Sequence, residues 1–142
     1  MKNLQKIVLT VLAFLASPAV HAANSGGSID LRGGTIRQTN SVSNTQTNGL
    51  RSANGARIAI FSWQLTYSRN FVGDLYTRVC TEGRRCTPWT NGFDRHNGST
   101  SMFNGMPNTT RFYAEAEVRH HSTMILMPAV FVDNNCSIHL GW

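Results

Sequence analysis

The chain has 142 residues, of which 41% are hydrophobic and 14% are charged, and its formal net charge at pH 7 is +6. This length suits one ordinary domain with a real core and leaves no room for two. The basic residues are interleaved with acids and accompany no recognised nucleic-acid motif, which argues against a nucleic-acid-binding protein.

Residues 1–22 have the pattern of a secretory signal peptide. Lys2 and Lys6 precede an apolar run over residues 7–15, and small residues stand where a signal peptidase cleaves. The run is about half of the ~20 apolar residues that a membrane span requires. We therefore expect cleavage after Ala22, export to the periplasm and no stable membrane insertion. Both lysines are then lost, so every permanent cation of the mature chain is an arginine.

The region 23–55 is rich in Asn, Ser, Thr and Gly and contains one apolar island, at residues 29–36. This composition predicts a weak first strand followed by a polar loop. Residues 41–48 carry too little apolar surface to offset the entropy lost on ordering, so we expect this part of the loop to be mobile.

The region 56–142 is predicted to be the antiparallel β core of one domain that spans 23–142. Residues 59–67 alternate with the period of two that is typical of a half-buried strand. The apolar face of this strand carries Phe61, Trp63, Leu65 and Tyr67. Trp63 is therefore predicted to be a core residue.

Two cysteines flank a short polar loop between the predicted strands 75–81 and 85–90, which read as a hairpin. Cys80 and Cys86 are separated by five residues that include a glycine, so a tight reversal brings them within bridging distance. An oxidising compartment lets such a disulfide persist. Cys136 is left over, and it is buried, bridged to another chain or exchanged with one of the pair.

The segment 91–108 is loop-like because three glycines and a proline interrupt it, although a short strand near Met102 is compatible with its sequence. Residues 111–120 then alternate again. Phe112, Ala114, Ala116 and Val118 fall on one face, and the polar residues between them fall on the other. This alternation predicts a second half-buried strand.

The C-terminal part predicts a closing hairpin. Residues 124–132 are almost all apolar, residues 133–135 are Asp-Asn-Asn, which favours a turn, and residues 138–142 alternate to the end. Short strands separated by turn signals, without an amphipathic helix in the mature chain, predict an all-β fold. We expect an antiparallel β-sandwich or a barrel-like variant of it.

No catalytic or metal-binding constellation is predicted. His120 and His121 are adjacent on a predicted strand and so point to opposite faces, which prevents joint chelation of one ion. Glu115 and Glu117 share a face, but a solvated outer face explains this acid pair better than glycoside hydrolysis does. We therefore expect no enzyme activity, no metal and no cofactor.

Trp89 is the best candidate for a binding residue because it follows Pro88 beside the cysteine hairpin, where it can be exposed. Arg84 and Arg85 lie in the same short stretch. Tryptophan and arginine dominate binding hot spots, so these three residues are predicted to form a partner-contact patch.

The order of short motifs after residue 56 resembles the FlhE family of small periplasmic flagellar proteins. The resemblance covers the chain from about Ala56 to Trp142. It consists of Trp63, Leu75, Arg78-Val79-Cys80, Arg85-Cys86, Arg111-Phe112 and residues 127–132, followed by Asn135 and Ile138. The chain departs from the family in a cysteine loop one residue longer, in an enlarged loop over 91–108 and in Cys136, which has no counterpart.

The resemblance implies a periplasmic antiparallel β-sandwich with a non-enzymatic, accessory role in flagellar biogenesis. Such a protein would regulate or seal flagellar export, with an effect on swarming, by docking on a rod or export component. The alternative is an exported carbohydrate- or surface-binding module with a polysaccharide partner. Trp89, the arginines and the long polar loops favour this second interpretation.

The signal-peptide pattern leads to a direct prediction. Protein recovered from the periplasm should begin at Ala23 or one residue later, which an intact-mass measurement decides. Recovery of the protein with residues 1–22 attached, in the inner-membrane fraction, would instead establish an anchor.

Overall fold

The computed structural model describes residues 26–51, 54–68 and 70–141. The predicted signal peptide, 1–22, and the last residue of the predicted closing hairpin, Trp142, lie outside the described residues. Within these ranges the secondary structure consists of nine strands. None of the described residues belongs to a helix with the length and apolar character needed to cross a membrane.

The nine strands form two antiparallel sheets, which confirms the predicted all-β sandwich. The first sheet has the order β1-β9-β4-β7, and the second has the order β2-β8-β5-β6, with β3 also paired to β8. The strands are β1 Gly26–Gln38, β2 Ser43–Asn44, β3 Asn48–Gly49, β4 Arg57–Tyr67, β5 Asp74–Thr81, β6 Thr90–Asn91, β7 Asn97–Thr100, β8 Arg111–Arg119 and β9 Ile125–Gly141.

The core between the sheets has two apolar clusters. In the first, the rings of Phe61 and Phe112 from opposite sheets lie 4.7 Å apart, and each lies 5.1 Å from the ring of Phe103. All three rings are fully buried. The second cluster packs Leu75 and Val118 of the second sheet against residues of β9 and β4. Alternating residues of both sheets therefore meet face to face, as the sequence period predicts.

The predicted closing hairpin is wrong, because β9 is one continuous strand of 17 residues. Asp133, Asn134 and Asn135 lie in its middle, each paired with a residue of β4. Because Asn134 and Asn135 also pair with β1 along the other edge of β9, extended backbone there satisfies hydrogen bonds on both sides. Two-sided pairing thus overrides the local turn preference.

Three further segments differ from the sequence-based expectations. The first strand, β1, runs for 13 residues and pairs with β9 over most of its length. The predicted arm 85–90 is mostly irregular: Cys86 makes an isolated bridge to Cys80, and only β6 at Thr90–Asn91 is a strand. The strand in the 91–108 segment is β7, Asn97–Thr100, which lies before Met102 and pairs with β4.

The cysteines adopt one of the predicted arrangements. Cys80 and Cys86 form a disulfide, as predicted. Cys136 is a free thiol and is fully buried on the inner face of β9, so the buried alternative is the one that holds. Burial, with a smaller contribution from the charge of Asp30, raises the pKa of the Cys136 thiol to about 12.

This environment predicts the reactivity of Cys136. Because the thiolate is the reactive form and both burial and the raised pKa suppress it, a disulfide-exchange reagent at pH 8 should leave the folded protein unmodified and label one thiol in denaturant. A spectrophotometric thiol titration of the non-reduced protein measures this. Rapid labelling of the folded protein would contradict the position of β9 in the core.

Candidate functional site

The tip of the cysteine hairpin is a compact, exposed turn. The Thr81 N–H donates to the Arg85 carbonyl at 3.0 Å, and the Arg84 N–H donates to the Thr81 carbonyl at 2.9 Å. Arg84 has a φ of 64°, a left-handed conformation that is uncommon for a residue other than glycine. The side chains of Arg84 and Arg85 are both exposed. The disulfide and these hydrogen bonds therefore present two cations on a defined backbone.

Trp89 lies on the outer surface of the second sheet and is half-buried. The Arg78 guanidinium lies 4.5 Å from the centroid of its ring, and that of Arg119 lies 5.4 Å away. Arg119 also lies 4.0 Å from the centroid of Tyr76. Stacking of this kind stabilises both the cation and the ring position. Trp89 is thus held by arginines from β5 and β8.

The structure therefore surrounds Trp89 with other residues than those that the sequence order suggests. Arg84 and Arg85 were expected beside Trp89. Within the described ranges, the cations that stack on Trp89 are Arg78 and Arg119. The sequence analysis missed these two arginines because their proximity to Trp89 depends on the pairing of β5 with β8. Alternation identifies a residue's face but not its cross-strand neighbour.

Two glutamates complete this surface. Arg78 lies directly opposite Glu115 in the β5–β8 ladder. Its Nε donates to Glu115 Oε2 at 2.8 Å, and its Nη2 lies 2.7 Å from the same oxygen. Arg119 Nε donates to Glu117 Oε1 at 2.7 Å. The expectation of a solvated acid pair is wrong for Glu115, whose side chain is only 9% exposed. Each of the two carboxylates is engaged by an arginine.

An open cleft of about 460 Å³ lies at the edge of the sandwich and brings Trp63 and Trp89 together. Trp63 shares the inward face of Phe61 and packs on the core, but it is half-buried, so the core prediction is only partly right. Its indole lies over Gly98, where an added Cβ would come within 2.5 Å of the ring. The polar residues of the cleft are Thr87, Thr90, Asn91, Asp94, Arg95, Ser99 and Thr100.

The histidine pair departs from the prediction of opposite faces. Strand β8 ends at Arg119, so His120 and His121 lie beyond it, and their ring centroids are 4.0 Å apart. In the part of the chain that the structure describes, no group of three or more potential metal-ligating side chains is assembled.

Comparison with known proteins gives a likeness of fold. No protein-family model matches the chain, and no curated protein sequence matches it significantly. A crystal structure of FLHE superposes with a TM-score of 0.62 at 16% sequence identity, over 83% of this chain and 99% of that one. A crystal structure of the serine protease of Aeromonas sobria has a TM-score of 0.52 at 10% identity, over 83% of this chain but 26% of the protease. The first likeness confirms, for the fold, the resemblance read from the sequence.

The Arg78–Glu115 pair generates a stability prediction. Glu115→Gln should lower the free energy of unfolding by about 1.5–3 kcal/mol, because it weakens a charge-assisted hydrogen bond at a buried acceptor. Glu82→Gln is the matched control, since Glu82 pairs with Arg111 at the exposed surface, and it should change stability by less than about 0.5 kcal/mol. Urea denaturation measures both, and equal effects would contradict the burial of Glu115.

Proposed function

We propose that this chain is a periplasmic, non-enzymatic accessory protein of flagellar biogenesis. In this role it regulates or seals flagellar export by docking on a rod or export component. The observation that carries the proposal is the fold shared with FLHE over nearly the whole of that chain. The order of motifs from Trp63 to Ile138, which resembles the same family, supports it independently.

The absence of enzymatic activity belongs to the proposal and is supported by the chemistry of the acids. Glu115 and Glu117, the pair most similar to a glycosidase site, each accept a hydrogen bond from an arginine. A carboxylate oxygen already occupied by a guanidinium donor is not free to contact a glycosidic oxygen. Cys136 is buried, with a pKa raised to about 12, which leaves it unsuited to nucleophilic catalysis.

The docking surface that we propose comprises the hairpin tip and Trp89 on the outer surface of the second sheet. Arg84 and Arg85 supply two exposed cations on a turn whose backbone is already ordered. Little backbone entropy is therefore lost on binding. Trp89 supplies an aromatic contact whose position is already fixed by Arg78. An acidic surface on the flagellar partner fits this combination.

A second candidate function rests on a separate observation, the cleft that Trp63 and Trp89 share with amide, hydroxyl and charged side chains. Indole faces and polar groups in one open cleft suit a polysaccharide. The polysaccharide-binding function requires the cleft, whereas the docking function requires the hairpin tip. Variants in these two surfaces therefore distinguish the two functions.

The hairpin tip can be tested without disturbing the fold. Arg84→Asn combined with Arg85→Gln removes both charges and keeps a residue that tolerates the left-handed backbone at position 84. We expect thermal stability to change by less than about 0.5 kcal/mol, while swarming and export control fail in a strain that lacks the native copy. Arg32→Gln, at another exposed arginine, is the control and should complement fully.

Normal swarming by the double variant would remove the hairpin tip from the docking surface. Normal motility and secretion after deletion of the whole gene would reject the flagellar role itself. Binding of the purified protein to a polysaccharide, lost in Trp63→Ala but kept in the arginine variant, would then establish the alternative.

A further inference from the structure

The outer face of the first sheet carries two rows of polar side chains that run across the strands. In the first row, Ser137 of β9 lies between Ser28 of β1 and Ser62 of β4. Ser62 in turn lies opposite Ser99 of β7. Neighbouring strands are about 4.8 Å apart, so the four hydroxyls repeat at this interval over roughly 14 Å.

The second row lies two residues further along the same strands and consists mostly of carboxamides. Asn135 of β9 lies between Asp30 of β1 and Gln64 of β4. Gln64 in turn lies opposite Asn97 of β7. Asp30 accepts hydrogen bonds from the side chains of Asn135 and Arg32. The acid in this row is therefore already paired, and the rest of the row is uncharged.

Parts of both rows line the shallow depression of about 400 Å³ over β4, β7 and β9. We call its polar lining the neutral face. It consists of Ser62, Gln64, Asn97, Ser99, Asn135 and Ser137. Apart from Asn135, none of these side chains is hydrogen-bonded to another described residue. Their donors and acceptors are therefore free to bind a ligand.

An apolar side chain borders the serine row on the side away from the carboxamides. Ile60 precedes Ser62 by two residues on β4 and is 49% exposed. It lies opposite His139 of β9. A sugar ring has an apolar C–H surface as well as hydroxyl groups, so an isoleucine beside a row of hydroxyls suits it.

The chemistry of the neutral face argues against other classes of partner. It contains no arginine or lysine, which a nucleic acid or another polyanion requires. It presents hydroxyls and carboxamides where the centre of a protein interface has apolar and aromatic anchors. Hydroxyls and carboxamides both donate and accept hydrogen bonds. This capacity matches the hydroxyls of an uncharged polysaccharide.

We propose that the neutral face binds an uncharged polysaccharide that lies across the strands. The sugar hydroxyls would exchange hydrogen bonds with the serines and carboxamides, while C–H groups contact Ile60. This site differs from the cleft beside Trp89, although Trp63 and Ser99 line both. The proposal depends neither on the flagellar role nor on Trp89.

Binding to immobilised polysaccharides tests the proposal. The panel is dextran, glucomannan, arabinoxylan and laminarin, and biolayer interferometry measures binding at low and high salt. The exported protein should bind at least one member, with a dissociation constant that does not change with salt, because no charge takes part. Gln64→Glu combined with Asn97→Asp replaces two exposed amide donors by carboxylates of nearly the same shape. This variant should raise the dissociation constant at least tenfold.

Gln38→Glu combined with Asn104→Asp is the matched control. It makes the same chemical changes at two exposed residues outside the neutral face, so it should bind like the wild type. Trp89→Ala should also bind like the wild type, because Trp89 lines the cleft and not the neutral face. Thermal denaturation of each variant checks that it is folded.

Three results would overturn the proposal. The first is absence of binding by the wild type to every polysaccharide of the panel. The second is binding that weakens steeply as salt is raised, which would assign it to the arginines. The third is equal binding by the wild type and the Gln64/Asn97 variant. If Trp89→Ala then abolishes binding, the cleft is the site and the second candidate function stands without the neutral face.

Discussion

Strand β9 lies between β1 and β4, and its two ladders of backbone hydrogen bonds hold the first sheet together. Its inward residues Val132, Asn134, Cys136 and Ile138 are all buried, so a slip of one residue would turn the whole set toward solvent. Asn134 is the polar member of this series. Its side-chain atoms have no hydrogen-bond partner among the described residues, a cost of about 1–3 kcal/mol that the surrounding pairing must offset.

The register of the strands in each sheet also decides what its outer face displays. In the middle of β4, β7 and β9 the first sheet turns neutral hydrogen-bonding groups outward, and these line a shallow depression of about 400 Å³ that includes Ser62, Gln64, Asn97, Ser99, Asn135 and Ser137. The second sheet displays arginine, glutamate and aromatic rings in mutual contact. Among the described residues, it is the second face that combines partly desolvated charges with indole, and these groups make binding both strong and selective. The proposed docking surface therefore adjoins this face.

The strands that can be predicted from sequence are those with one apolar and one polar face. Strand β4 buries Phe61 and Leu65 and turns Gln64 to solvent, so its alternation is visible, and the short spacing of the cysteines likewise predicted their disulfide. Strand β9 was misread because its Asp-Asn-Asn run has the chemistry of a turn, whereas the pairing that straightens it comes from residues far away in sequence. The stacking of Arg78 on Trp89 was unpredictable for the same reason, since it depends on register and not on composition.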